Sequence, residues 1–291
     1  MPRTIDQGFE DFLGKLVPTA AESTGASGHR ASIKACLEAN FGLKRFVRIG
    51  SFGNGTSISG HSDVDYLASI PTAQLTTSSS YSLCKVRDAL DVRFPYTGVR
   101  ISCPAIQVPF GGTAADTTEV VVADYVGEVG GYSVYDIADC QGGWMRASPD
   151  AHNAYVADVD GRLGKKVKPL IRFVKAWKIF RSVPISSFYL ELRTAKYAET
   201  EKAIIYDMDV AAVLKRLLDC GLADMQDPMG VSGYISACKT TEQRDDALSK
   251  LSTAYTRASK AREAARNGDI AAAFENWRLL YNYEFPPYYY G

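Results

Sequence analysis

IGSFGNGTSISGHSDVDYL, residues Ile49 to Leu67, sets the chemistry of this chain: four glycines in a short stretch run into two aspartates one residue apart. In a strand, side chains two residues apart share a face, so Asp63 and Asp65 present their carboxylates side by side while Val64 enters the opposite face. Two unit charges about 4 Å apart repel by about 4 kcal/mol at an effective dielectric near 20, so the pattern calls for a cation, a proton or open solvent. Oxygen-only ligands favour magnesium or manganese. The preceding loop complements the carboxylates. Gly50, Gly53 and Gly55 let main-chain N–H groups approach an anion, and Ser51 and Thr56 add hydroxyls. A metal beside a phosphate cradle implies a nucleotide.

Composition narrows the setting. The chain has 291 residues, 46% hydrophobic and 23% charged, enough for a sizeable core and two modest domains. Lys plus Arg balance Asp plus Glu at 33 each, which argues against a nucleic-acid coat or a membrane-surface binder. No apolar run is long enough to span a bilayer and no signal peptide is evident, so the expected location is the cytoplasm. The six cysteines lack any C-x-x-C pair and read as reduced core thiols.

From Phe46 to Val126 short β-rich runs (FVRIG, DVDYLASI, VRISC, AIQVPF, TEVVVADYV) alternate with turns, with one helical stretch, SYSLCKVRDALDVRF, among them. Residues 130–160 read as a crossover. Beyond about Asp160, KPLIRFVKAWKIFRSV, DVAAVLKRLLDCGL, ALSKLSTAYTRASKAREAARNG and DIAAAFENWRLL carry helical spacing. The fold class is therefore α+β: a sheet domain over 1–160, whose N-terminal helix can pack on the second domain, a helical domain over 161–284, and a tail over 285–291. Between Arg162 and Arg181 stand eight Lys or Arg and no acid, with Lys165, Lys168, Arg172 and Lys175 at helical spacing. That reads as a positive stripe, unless Pro169 starts the helix and breaks it.

Ile49, Gly50-Ser51, an eleven-residue spacer, then Asp63, Val64, Asp65 and Tyr66 resemble the signature of the DNA polymerase beta-type nucleotidyltransferases. The resemblance implies a third carboxylate on a neighbouring strand. Asp124, inside the apolar VVVADYV, is the expected one, with Asp116, Glu119 and Asp136 as competitors. Downstream, GGWMRASPDAHN, KKVKPLIRFVKAWK and ISSFYLEL resemble, in this order, the bacterial CD-NTases, relatives of cyclic GMP-AMP synthase and oligoadenylate synthase. That resemblance implies a polymerase-beta-like sheet domain, an oligoadenylate-synthase-like helical domain, and a nucleoside triphosphate in a cleft between them. It further implies that Lys175 holds the triphosphate, Ser187 hydrogen-bonds it and Phe188 stacks on a base. Asp63, Asp65 and Asp124 would bind two Mg2+ or Mn2+ ions. The implied product is a cyclic di- or trinucleotide made from ATP, GTP or pyrimidine triphosphates for antiphage signalling, without obligate DNA. Alternatives are a linear-oligonucleotide synthase, a nucleotidyltransferase acting on tRNA, protein or a small molecule, and a degenerate nucleotide-binding module. The terminal YNYEFPPYYYG reads either as an aromatic strap or, by family resemblance, as a tail whose Gly291 a conjugating enzyme joins to amines.

Overall fold

The computed structural model describes residues 4–112 and 116–289, the side chains of 20–28 excepted. It divides into two compact units, one of residues 18–155 with 229–233, the other of 1–17, 156–228 and 234–291. The first helix, α1 (Ile5–Leu16), thus belongs with the helical unit, and the boundary lies a few residues before the expected Asp160. Thr4 starts α1 through a capping box, its hydroxyl accepting from Gln7 N while the Gln7 side chain accepts from Thr4 N.

The sheet unit opens with α2 (Ala20–Phe41), β1 (Arg45–Arg48), the short α3 (Gly50–Asn54), β2 (Val64–Ser69) and α4 (Ser79–Arg93). It continues with β3 (Arg100–Ser102), β4 (Ala105–Pro109), β5 (Thr117–Val129), β6 (Tyr132–Ala138) and β7 (Trp144–Ala147), and ends in α5 (Pro149–Arg162), which crosses the unit boundary. The strands form one sheet of order β1-β2-β5-β4-β3, with β6 and β7 added beside β5. The expected crossover over 130–160 is therefore corrected: it carries two further strands. Gly130 and Gly131, both at positive φ, let β5 turn directly into β6, with Val129 paired to Tyr132.

Strand alternation gives the sheet two different faces. Val64, Tyr66, Ala68, Val120 and Val122 enter the main core with Ile33 and Leu37 of α2 and Leu83, Val86 and Leu90 of α4. Leu67, Ala123 and Tyr135 form a smaller apolar cluster with Val47, Ile49 and Ile137. Arg45 of β1 fixes the start of α5 by two bonds to Asp150, at 2.5 and 2.9 Å, and donates to the Tyr135 hydroxyl at 2.7 Å. The planar fork of arginine makes such a carboxylate pair directional.

The cysteine expectation is also corrected. Cys103 and Cys140 form a disulfide with Cα atoms 5.6 Å apart, and Cys36, Cys84, Cys220 and Cys238 are free. Their partnership is between segments 37 residues apart, one at the β3–β4 turn and one after β6, and only folding brings them within bonding distance.

The helical unit adds α6 (Val167–Phe180), α7 (Ser187–Ala198), α8 (Tyr206–Asp219), the small β8 (Met225–Gln226) and β9 (Tyr234–Ile235), α9 (Thr241–Arg266) and α10 (Ile270–Leu280). An aromatic cluster fills its centre: Phe9 lies 5.0 Å from Phe173 and 5.1 Å from Trp277 and from Phe285, and Phe12 lies 4.6 Å from Tyr281. Phe285 is 1% exposed, so the last segment is anchored where a separate tail was expected. Tyr288 follows it onto Phe274 at 5.4 Å, as a strap would. Gly291 lies outside the described residues. Among those residues no helix is long and apolar enough to cross a membrane.

Candidate active site

The glycine-rich stretch folds as a helical turn, α3, rather than as an open loop. Gly50 stands at φ +59°, where glycine is favoured, and a Cβ there would lie 2.1 Å from Asp65 Oδ2. Gly50 thus has two reasons to be glycine, its backbone conformation and the carboxylate pressed against it. Ile49 N donates to the Asp65 carbonyl at 2.9 Å, which ties the start of α3 to β2. Gly55 ends α3 in the left-handed region. Ser51 is half-buried on the first turn, whereas Thr56 is fully buried. Thr56 is therefore corrected from a ligand-facing hydroxyl to an interior one.

Asp63 immediately precedes β2 and Asp65 lies inside it, both half-buried. β2 and β5 are parallel, and Asp65 is the register partner of Glu119. Gln107 of antiparallel β4 is the next partner in the row, and its Nε2 donates to Glu119 Oε1 at 2.7 Å. Cross-strand partners share a face and neighbouring strands lie about 4.8 Å apart, so Glu119 brings a carboxylate beside Asp65.

Asp124 is not there. It stands five residues beyond Glu119 on β5, roughly 16 Å at about 3.3 Å per residue, and alternation assigns it to the opposite face with Val120 and Val122. It pairs with Asp136 of β6 and accepts from Thr72 Oγ1 at 2.7 Å. Asp116 lies in the turn before β5, its carbonyl accepting from Phe110 N at 3.0 Å. Of the four acids weighed for the third position, Glu119 alone faces Asp65. The sequence held one signal for this: acids near the starts of two strands fall in a row when the strands run parallel.

In the helical unit the expected basic stripe is broken. α6 begins at Val167, Pro169 lies in its first turn, and Asp160 Oδ1 accepts from Val167 N and Lys168 N, both at 2.9 Å. Lys165 precedes the helix, at φ +61°. Lys175, expected to hold the triphosphate, is 2% exposed and pairs with Glu191 at 3.7 Å, so the structure places it in a buried ion pair. Burial pushes the Arg172 pKa down, with the Asp160 charge opposing it. The cation that does touch Ser187 is Lys178, whose Nζ donates to Ser187 Oγ at 2.7 Å. Phe188, next in the first turn of α7, is 40% exposed.

Among the described residues no three His, Cys, Asp or Glu side chains are gathered at metal-ligand distance. Asp65 and Glu119, from one face of adjacent strands, with Asp63 just ahead of β2, nevertheless offer the all-oxygen donor set that magnesium and manganese prefer.

No protein-family model matches the chain, and no curated protein matches it. Solved structures do. CdnC of E. coli MS115-1, solved with ATP, superposes with a TM-score of 0.76 at 16% identity, over 96% of this chain and 98% of that one. The chain has the CD-NTase fold. DncV of Vibrio cholerae, a cyclic AMP-GMP synthase solved with a linear intermediate, gives 0.76 at 15% identity over 98% and 97% of the two chains. CdnE of Elizabethkingia meningoseptica, a cyclic dinucleotide synthase solved with GTP and Apcpp, gives 0.66 at 16% identity over 85% and 96%. The CD-NTase fold thus extends over both units, the sheet unit with its carboxylate row and the helical unit with α6 and α7.

Proposed function

We propose that the chain is a metal-dependent nucleotidyltransferase that joins ribonucleoside triphosphates into a cyclic di- or trinucleotide. The observation that carries this reading is the row Asp65–Glu119, with Asp63 just ahead of it and the Gly50 main chain against the Asp65 carboxylate. Asp63, Asp65 and Glu119 would hold two Mg2+ or Mn2+ ions. Such ions supply Lewis-acid stabilisation of the phosphates and lower the pKa of a ribose hydroxyl.

The chain's own residues supply placement. Gln107 holds one oxygen of Glu119, leaving the other to face the site. Gly50 packs the start of α3 against Asp65, and Ser51, half-buried on that turn, would be the hydroxyl offered to a phosphate held through the metal. In the helical unit, taken by itself, the half-buried pair Lys178 and Ser187 offers a cation and a hydroxyl to a phosphate, and the exposed Phe188 offers a base a stacking surface. The ribose hydroxyl of one nucleotide gives up its proton and attacks the α-phosphorus of the other in line, and the bond to the departing pyrophosphate breaks. A second such step, with the linear product re-bound in reverse, closes the ring.

ATP and GTP accompany the solved neighbours CdnC, CdnE and DncV in several of their structures, which supports nucleoside triphosphates as the substrate class here. Antiphage signalling in the cytoplasm, and conjugation through Gly291, belong to the same proposal. The test is incubation with all four ribonucleoside triphosphates and magnesium or manganese, then phosphatase and mass spectrometry. A phosphatase-resistant ring is expected. A product that loses terminal phosphates would favour linear synthesis, and no product would favour a binding module.

A further inference from the structure

α6, α9 and α10 of the helical unit border a half-open cavity of about 290 Å3 whose lining includes Trp177, Arg181, Lys250, Thr253, Arg257 and Leu280. Three of the lining side chains are cations, Arg181 from the C-cap of α6 and Lys250 and Arg257 from α9. Arg181 Nε donates to the Leu280 carbonyl at 3.1 Å and its Nη2 to the Leu279 carbonyl, while Arg257 Nη1 donates to that same Leu279 carbonyl at 2.6 Å. These are the last carbonyls of α10, and a cation there offsets the negative end of the helix.

Capping explains one arginine but not two converging on one oxygen. Each guanidinium carries more N–H donors than these bonds use. Among the described residues neither arginine has a carboxylate within ion-pair distance, while Lys250 has one acid, Asp246, at 2.8 Å and also donates to the Ser182 carbonyl at 3.0 Å. Burial, then the neighbouring Arg257 charge, holds the Arg181 pKa below its ordinary value, so the two guanidinia sit together at a cost. An oxyanion between them would remove that repulsion, and phosphate matches the guanidinium fork bidentately. Trp177 and Leu280, each 1% exposed, form the packed back of the cavity behind the three cations, and the volume left in front exceeds that of a bare phosphate.

We propose that this cavity is a binding site for a small phosphate monoester, its phosphate held by Arg181 and Arg257 with Lys250 at the rim. The volume lies at the small end of ligand sites, about 300 to 1,000 Å3, which limits the esterified body to roughly a sugar. The site is independent of the carboxylate row and of the reading given to it.

The test is calorimetric titration of the full chain in phosphate-free buffer with a chelator, using ribose 5-phosphate as the probe and ribose and inorganic phosphate as comparisons. Saturable binding of the ester, none of ribose and weaker binding of inorganic phosphate are expected, with at least a tenfold loss in Arg257→Gln. Lys250→Glu, a charge reversal on a partly exposed side chain, should weaken binding too, and it decides the matter if Arg257→Gln fails to fold. No saturation at millimolar ester, or wild-type affinity in both variants, overturns the site. Equal affinity for inorganic phosphate overturns the ester.

Discussion

Asp65 and Glu119 are register partners in neighbouring parallel strands, and their carboxylates share one face of the sheet. Glu119→Gln is therefore expected to reduce product formation to background, as Asp63→Asn with Asp65→Asn should, whereas Asp124→Asn should stay near wild type. Gln107→Ala frees the Glu119 carboxylate, and loss of such a supporting hydrogen bond typically costs about 10- to 100-fold in metal affinity or activity. Activity measured against magnesium concentration checks all four variants. An inactive Asp124→Asn beside an active Glu119→Gln would remove the row as the metal site.

Gly50→Ala should damage activity more than stability. The left-handed backbone alone costs a residue with a Cβ about 1–2 kcal/mol, and the new methyl must also displace the Asp65 carboxylate it would overlap. Thermal melting and turnover on the same preparation separate the two effects. A variant that melts early yet turns over normally would show that Asp65 does not act where it stands.

Phe188 is 40% exposed in the first turn of α7, so Phe188→Ala is expected to lower the melting temperature only slightly and to weaken nucleotide binding by about 1–3 kcal/mol, the range for base–aromatic stacking. Phe188→Tyr keeps the ring and should be close to neutral. A large fall in melting temperature with nucleotide affinity unchanged would instead mark Phe188 as a packing residue.

The Cys103–Cys140 disulfide closes a long loop in the sheet unit. Reduction, or Cys103→Ser with Cys140→Ser, should lower stability by about 2–4 kcal/mol. Thiol titration of the denatured, unreduced protein should count the four free cysteines, and a count of all six would mean that the bridge does not form.

Tyr189 gives an alkaline signature. Its hydroxyl donates to the Ala223 carbonyl at 2.7 Å, and burial pushes its pKa up to about 12, against 10.0 ordinarily. Between these two values the folded chain keeps a proton that the unfolded chain has lost, so stability falls as pH rises through that window. Tyr189→Phe should melt lower at neutral pH, having lost the hydrogen bond, but with a shallower decline above pH 10. Parallel melting curves across the alkaline range would refute the assignment.

What the sequence determined by itself is whatever depends on near neighbours in the chain. The D-x-D pattern marked the entry to a strand, with Asp65 inside β2 and Asp63 just ahead of it, β-branched runs marked β2 and β5, and helical spacing marked α6, α8, α9 and α10. These features were legible because they follow from local backbone geometry. Tertiary structure alone decided which acid joins the pair. Hydrogen-bond register between β2 and β5 couples residues 54 positions apart, Asp65 to Glu119, and it is set by which faces bury Val64, Tyr66, Val120 and Val122. The apolar strand around Asp124 gave the stronger local signal, but the strand's direction and register carry that residue to the other face. Lys175 and Thr56 likewise carry side chains suited to a phosphate, yet packing turns both inward, because burial depends on the neighbours that the whole fold supplies. Cys103 meets Cys140 for the same reason: long-range proximity arises only when the chain folds.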